Sequence, residues 1–262
     1  MHEIADIACN FTSERFDKDL NEVINRAIKN KITKFGLICS QLNDLDKLLK
    51  IYEQYSNNMF FTIGVHPHHA NKLSDDYLKK LKEVVNKNNP HAVGETGLDF
   101  FRNLSTYEEQ IFAFEEQIKI AIDTNKPLFL HQRDSHDDFI KILRKYSSDI
   151  NKSVVHCFTG TKEQLDDYLE LDCYIGVTGW ICDEKRNVEL RKTIKNIPIE
   201  KLMIETDCPY LIPKDLPNKP KNNRNEPVNL NHIASSIAEL MDVNEESLKQ
   251  ITFETSLNFF KN

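Results

Sequence analysis

Short apolar runs alternate with helical patterns along nearly the whole chain. Eight of these runs are rich in Ile, Val and Phe, as buried parallel strands are. They predict strands at Ile4–Cys9, Ile32–Cys39, Met59–Val65, Ala92–Gly94, Pro127–Leu130, Ser153–Val155, Cys173–Val177 and Leu202–Ile204. Between them, apolar residues recur at spacings of three and four, the pattern of helices with one buried face. This alternation in 262 residues favours an α/β fold of the (β/α)8 TIM-barrel type over an open doubly wound sheet.

The end of the chain adds helices beyond those of a minimal barrel. A loop rich in Pro, Asn and Lys covers residues 209–227, and helical patterns follow at about Asn229–Leu240 and Glu245–Phe260. No glycine-rich phosphate loop follows the first strand, and no internal repeat or domain boundary is evident in the sequence. We therefore expect a single domain over residues 1–262, a barrel with extra C-terminal helices.

Composition narrows the class of protein. Hydrophobic residues make up 40% and charged residues 29%, the usual balance of a globular protein in water. A net charge of -7 argues against a passive nucleic-acid coat, but not against an enzyme that acts on phosphates, because bound cations can supply positive charge. The six scattered cysteines form no C-x-x-C pair, so reduced thiols are expected.

The same features bear on where the protein works. No apolar run approaches the ~20 residues needed to span a bilayer, and the first residues do not resemble a signal peptide. We expect no membrane partner and a cytoplasmic location, with the nucleus as the alternative compartment. Nothing in the sequence implies an oligomer, so a monomer is expected.

Residues that can bind metals or catalyse reactions stand at several strand ends. In a TIM barrel the carboxyl ends of the strands meet at one face, so these side chains would lie together. They are Asp6 and Asn10 at the first strand, His66, His68 and His69 after the third, Glu95 after the fourth, His131 after the fifth, His156 after the sixth and Asp207 after the eighth. Each residue alone is more often structural or solvated. Two carboxylates and two histidines at the ends of four strands indicate a divalent-metal site.

The two carboxylates suggest how such a site would work. Glu95 lies between Gly94 and Gly97, and its two oxygens could bridge two ions ~3.5–4 Å apart. Asp207 could bind metal and also orient or deprotonate a nucleophilic water. Both are therefore candidate catalytic residues.

Seven motifs together resemble one family. They are Gly-Val-His-Pro-His (64–68), Gly-Glu-Thr-Gly-Leu-Asp-Phe (94–100), Leu-His-Gln-Arg-Asp (130–134), Val-His-Cys-Phe-Thr-Gly-Thr (155–161), Tyr-Ile-Gly-Val-Thr-Gly-Trp (174–180), Leu-Met-Ile-Glu-Thr-Asp-Cys-Pro-Tyr-Leu (202–211) and Arg-Asn-Glu-Pro (224–227). The set is similar to TatD-type metal-dependent deoxyribonucleases of the amidohydrolase superfamily. The motifs occur in the family's order and cover nearly the whole chain.

The resemblance implies roles for individual residues. It implies a barrel hydrolase that cleaves the phosphodiester bonds of a DNA substrate, often as a 3′-to-5′ exonuclease. Glu95, His131, His156 and Asp207 match the family's metal ligands. The residues expected to contact substrate are His66 and His68 in the loop after the third strand, Arg133 as a phosphate contact, and Arg224 in the last motif.

One departure from the family bears on the metal. Many relatives open with Asp-x-His-x-His, whereas this chain reads Asp6-Ile7-Ala8-Cys9-Asn10. Asn10 can offer a carbonyl oxygen and Ala8 offers nothing. Oxygen in place of nitrogen should favour Mg²⁺ or Mn²⁺ over Zn²⁺, with one or two ions bound.

Two other classes of protein could have the same barrel. A hydrolase of small amides or lactones could use the same barrel, because a fold does not fix a substrate. Many such relatives carry a carboxylated lysine after the fourth strand, and Glu95 stands there instead. A non-catalytic protein with a relic site would be favoured had Glu95 or Asp207 been replaced. Near the same face, Phe100, Phe101, Trp180 and Tyr210 could stack on a nucleobase, although core packing is the commoner fate of such rings.

Overall fold

Eight parallel strands lie side by side in chain order. The computed structural model describes residues 2–261. The strands are β1 (Ile4–Cys9), β2 (Ile32–Leu37), β3 (Met59–Ile63), β4 (Ala92–Asp99), β5 (Leu128–Arg133), β6 (Ser153–Val155), β7 (Tyr174–Val177) and β8 (Leu202–Ile204). A backbone bridge joins Cys9 to Cys208, and the Asn10 N–H donates to the Cys208 carbonyl at 2.8 Å. This seam brings the two outer strands together, and the predicted (β/α)8 barrel is confirmed.

One α-helix lies between each two consecutive strands, and two more follow β8. They are α1 (Leu20–Lys29), α2 (Leu45–Gln54), α3 (Asp75–Asn88), α4 (Tyr107–Asp123), α5 (His136–Tyr146), α6 (Lys162–Glu170), α7 (Val188–Thr193), α8 (Leu230–Met241) and α9 (Glu245–Phe259). Helix α4 begins with a capping box, in which Thr106 and Glu109 each accept the other's backbone N–H. The final pair, α8 and α9, are the predicted C-terminal helices.

The core consists of two layers separated by the strands. In β5, Leu128 and Leu130 pack with the larger cluster beneath the helices, whereas Phe129 belongs to a smaller cluster. Since side chains alternate across a strand, the smaller cluster fills the barrel interior. At one end of this interior, Phe260 follows α9 and stacks on Phe60 near the start of β3, with ring centroids 4.7 Å apart. This contact closes the barrel interior with apolar rings at the amino-terminal ends of the strands. The opposite, carboxyl ends are the ones that carry polar side chains.

Strand β4 is longer than its sequence suggested. The prediction ended it at Gly94, and the structure continues it to Asp99, paired with a β5 that extends to Arg133. Glycines that resemble strand breakers instead permit close pairing. A Cβ at Gly97 would lie 1.9 Å from the carbonyl oxygen of His131, and φ there is 143°. The predicted end of β4 was wrong because glycine occurs both in turns and where two backbones approach closely. The sequence alone does not distinguish these two cases.

Two broader expectations can be compared with the structure. All six cysteines are free. Over residues 2–261, no helix combines the length and apolar character required to cross a bilayer.

Candidate metal centre

The carboxylate of Glu95 lies at the centre of a histidine cluster. Its Oε1 is 2.8 Å from His156 Nε2, 3.0 Å from His131 Nδ1 and 3.3 Å from His66 Nε2. His66 and His156 follow the ends of β3 and β6, while Glu95 and His131 lie within the paired strands β4 and β5, so four neighbouring parallel strands bring these side chains together. The structure thus brings together the predicted ligands Glu95, His131 and His156. It adds His66, which was expected to face substrate.

Charges inside this cluster are strongly coupled. Burial opposes ionisation of Glu95, but His66 and His156 hold the pKa of the carboxyl well below its usual range. Burial also opposes protonation of His156, yet Glu95 and Glu205 raise its pKa well above the usual value. Burial lowers the pKa of His66 to about 4, against the opposing influence of Glu95. Glu95 is therefore an ionised carboxylate, and His66 is a neutral imidazole at neutral pH.

The donor atoms suit a divalent cation. Ligand atoms of His66, Glu95 and His131 all lie within 4.8 Å of one another. Neutral imidazole nitrogens and a carboxylate oxygen are the ligands found in catalytic metal sites. In addition, Nε2 of His156 faces the same Glu95 oxygen at 2.8 Å. The residues present therefore fit the metal that the sequence predicted.

Asp207 lies beside this cluster and contacts Asn10. Its Oδ1 accepts a hydrogen bond from the Asn10 side-chain amide at 2.8 Å, and that amide also donates to the carbonyl of Cys208 at 3.2 Å. Burial raises the pKa of Asp207 to about 7; His156 lowers it, whereas Glu95 raises it. Asn10 presents its nitrogen here, so its observed contact supports Asp207, and its role as a metal ligand stays a prediction.

Asp99 is a site residue that the sequence reasoning missed. Its side chain is buried, with Oδ2 2.7 Å from His68 Nε2 and 3.3 Å from His131 Nε2. Burial opposes its ionisation, but hydrogen bonds with the two histidines hold the pKa of the Asp99 carboxyl well below the usual range. The signal was available: in a strand, Glu95 and Asp99 are four residues apart and face the same side. Ending β4 at Gly94 concealed it.

Glu205 is the second residue that was missed. It is fully buried, its Oε1 accepts the Cys157 N–H at 2.5 Å, and the same oxygen lies 3.6 Å from His156 Nδ1. This distance is too long for a hydrogen bond, so Glu205 acts on His156 through its charge, which raises the pKa of the imidazole. The sequence Glu-Thr-Asp at 205–207 resembles the cap of a following segment, and that interpretation gives Glu205 no role in the site.

Asp6 was expected at the functional face, and the structure corrects this. It lies inside β1 with no exposed surface, and it accepts hydrogen bonds from the N–H (2.9 Å) and hydroxyl (2.5 Å) of Thr206. Burial raises the pKa of Asp6 to about 7. Asp6 therefore holds the residue before Asp207 in place instead of joining the cluster.

An open depression surrounds the cluster at the carboxyl ends of the strands. The predicted substrate residues His66, His68 and Arg133 line it, together with His69, Arg102, Arg186, Trp180 and Tyr210. The lining also carries carboxylates, among them Glu14, Asp134, Asp137 and Asp138, so hydrogen-bond donors, aromatic rings and acidic groups all face the depression.

Arg224 is not among the residues that line this depression. Its Nη1 donates to Asp19 Oδ1 and to the Arg15 carbonyl, both at 2.7 Å. Its Nη2 donates to Asp19 Oδ2 at 2.6 Å and to Glu226 at 2.7 Å. The guanidinium fastens the loop after β8 to the start of α1, and its predicted contact with substrate gains no support from this geometry.

Three comparisons with known proteins identify what the chain is similar to. The family model described as TatD related DNase matches residues 5–261. A 3′-5′ ssDNA/RNA exonuclease TatD from Edwardsiella piscicida is 40% identical over 256 residues, which covers 98% of each chain. A TatD family hydrolase structure from Entamoeba histolytica aligns with a TM-score of 0.89 at 30% identity over 99% of this chain and 98% of the other. A TatD homologue from Escherichia coli aligns with a TM-score of 0.90 at 26% identity over 99% of this chain and 98% of the other. The chain therefore belongs to the TatD family of related DNases.

Proposed function

We propose that this protein is a metal-dependent nuclease that hydrolyses DNA phosphodiester bonds, acting as a 3′-to-5′ exonuclease. The observation that carries the proposal is the position of the Glu95 carboxylate among three imidazoles, beside Asp207. The Edwardsiella piscicida relative is named for single-stranded DNA and RNA, so we extend the proposal to RNA.

The residues divide the site into two parts of different chemistry. His66, His131 and His156 offer nitrogen on one side of Glu95, and Asp207 offers oxygen beside it. We propose that Glu95 bridges these two parts and holds up to two ions. When bound, divalent cations lower the pKa of water and neutralise charge on phosphate oxygens. For the oxygen-rich part we propose Mg²⁺ or Mn²⁺ in preference to Zn²⁺.

The remaining residues act on the proton of the attacking water and on the phosphate of the substrate. Asp207 is placed to orient the attacking water and to accept its proton, while the Asn10 amide fixes one of its oxygens. His68 and Arg133 lie in the depression where they can contact the phosphate. The small-molecule alternative is not favoured, because the relatives that match nearly the whole chain are named exonucleases.

The decisive experiment is digestion of end-labelled single- and double-stranded DNA with Mg²⁺, Mn²⁺ or Zn²⁺ at matched free concentrations. We expect Glu95→Gln and Asp207→Asn to abolish cleavage while Glu239→Gln, a change of an exposed carboxylate on α8, leaves it intact. Active-site variants that cut as fast as wild type would refute the site. Cleavage that is much faster with Zn²⁺ than with Mg²⁺ would refute the metal preference. If no DNA is cut with any metal, hydrolysis of a small amide or lactone becomes the favoured function.

We also propose that the chain acts as a single-domain monomer in the cytoplasm. The six free cysteines are compatible with a reducing compartment. Light scattering of the purified protein and fractionation of cells would test the two statements separately.

A further inference from the structure

Phe101 is an exposed aromatic residue on the rim of the metal centre. Its side chain is 58% exposed, although Phe is normally buried. The guanidinium carbon of Arg133 lies 3.8 Å from the centroid of its ring. Both side chains line the depression that contains Glu95 and His131. An aromatic face and a planar cation therefore lie together at the entrance to the site.

The backbone fixes this pair to the metal centre. The Phe101 N–H donates to Asp99 Oδ1 at 3.1 Å, while the other oxygen of Asp99 contacts His131. The Phe100 N–H donates to the carbonyl of Arg133 at 3.0 Å. One carboxylate thus positions both a metal-binding imidazole and the turn that presents the Phe101 ring.

The neighbouring aromatic residue shows that the exposure of Phe101 is local. The ring of Phe100 packs against Tyr107 of α4, with centroids 5.2 Å apart. Phe101 is not packed in this way, and its only ring contact among the described residues is the Arg133 guanidinium. The other exposed Phe, Phe112 of α4, does not line the depression.

We propose that Phe101 and Arg133 form a nucleotide subsite that grips an unpaired base next to the bond being cut. This inference rests on the proposed nuclease function and names its substrate feature. The base stacks on the ring of Phe101, and the guanidinium of Arg133 contacts the adjoining phosphate. A base in a duplex must first leave its own stack, which costs a few kcal/mol. The subsite therefore selects single-stranded ends.

The test compares normal oligonucleotides with ones that lack a base. A tetrahydrofuran residue is placed in turn at each of the three terminal positions of a single strand. Stacking on an aromatic ring contributes about 1–3 kcal/mol per base, or roughly a 5- to 150-fold change. We expect wild type to lose kcat/KM by a factor in this range at one position. Phe101→Ala should lose as much on the normal strand and nothing further on the base-less one.

Two further variants make the result specific. Phe101→Tyr keeps the ring and should restore discrimination between the two strands. Phe112→Ala removes another exposed ring, one outside the depression, and should behave as wild type. If Phe101→Ala lowers cleavage of normal and base-less strands equally, or changes neither, the subsite is refuted.

A binding measurement tests the proposed subsite independently of the proposed nuclease activity. The same oligonucleotides are bound in EDTA and followed by fluorescence anisotropy. A wild-type protein that cuts no strand refutes the proposed function, while the anisotropy still decides the subsite by the same comparison. Arg133→Gln should reduce the slope of log Kd against log salt by about 0.7, the loss of one phosphate contact on a single strand. An unchanged slope would remove Arg133 from the subsite.

Discussion

The Asp99 carboxylate lies 3.3 Å from Nε2 of His131, whose Nδ1 lies 3.0 Å from Glu95. His131 is thereby held between two carboxylates that belong to the same strand, β4. Its own strand, β5, is fixed by the pairing of Gly97 with His131. The direction of this imidazole is set by strand register and needs no flexible loop.

Replacing Asp99 by Asn should weaken metal binding. The shape of the side chain is retained, but the charge that holds His131 and His68 is lost. Partners behind metal ligands typically contribute 10- to 100-fold in metal affinity, so half-saturation by the activating cation should rise by about that factor. Cleavage measured against free cation concentration gives this value. Half-saturation equal to that of wild type would contradict the role given to Asp99.

Gly97→Ala should damage the site more than the stability of the fold. A Cβ at Gly97 would lie 1.9 Å from the His131 carbonyl oxygen, so β5 must move where it carries a metal ligand. We expect metal affinity to fall at least about tenfold, because a shift of His131 changes its position relative to every other donor atom. Calorimetric titration of the metal, beside a circular dichroism spectrum that confirms folding, checks this. A folded variant with normal affinity would show that the two strands are not closely coupled.

The Arg224–Asp19 pair should stabilise the fold without serving catalysis. Arg224 is 8% exposed, whereas the side chain of Asp19 is 37% exposed, so solvent screens part of their attraction. A double-mutant cycle with Arg224→Gln and Asp19→Asn should give a coupling of about 1 kcal/mol in urea unfolding.

The control for this cycle is the exposed pair Lys162–Asp166 on α6. Its coupling should be at most about 0.5 kcal/mol. At temperatures where the Arg224 variants stay folded, their kcat/KM on DNA should match that of wild type. A selective loss of kcat/KM would instead support the predicted contact of Arg224 with substrate.

His91 should make the folded protein sensitive to mild acid. Its ring packs against Phe60 and Phe61, and burial lowers its pKa from 6.5 to about 4. Between those values the unfolded chain binds the proton and the folded chain does not. Stability therefore falls as pH drops from 6.5 towards 4, by at most about 3 kcal/mol.

His91→Asn isolates this effect. Asn keeps an acceptor for the Phe61 N–H but does not titrate. The difference in unfolding free energy between wild type and variant, measured without metal, should change with pH across this window. A constant difference would exclude His91 as the source.

The sequence predicted those features that depend on neighbours along the chain. Apolar runs gave eight strands, and helical patterns near the end of the chain gave the two helices α8 and α9. The candidate ligands Glu95, His131 and His156 could be proposed because each follows or ends an apolar run in the sequence, where the family motifs also occur. Such signals need only a residue type and its position in one element.

The remaining features depend on register between elements and could not be read in this way. Asp99 matters because β4 continues past Gly97, which only the pairing with β5 reveals. The predicted contact of Arg224 with substrate rests on its place in the last family motif, Arg-Asn-Glu-Pro (224–227). Its partner Asp19 lies over two hundred residues away in sequence, and no local pattern indicates that the two meet.

The seam between β1 and β8 has a consequence for synthesis of the protein. Asn10 is synthesised about two hundred residues before Asp207 and Cys208, which it contacts. Phe260, which packs against Phe60 at the other end of the barrel, is synthesised later still. A nascent chain that ends before residue 207 therefore lacks the carboxylate proposed to activate water, and the proposed activity can begin only after that residue has been added.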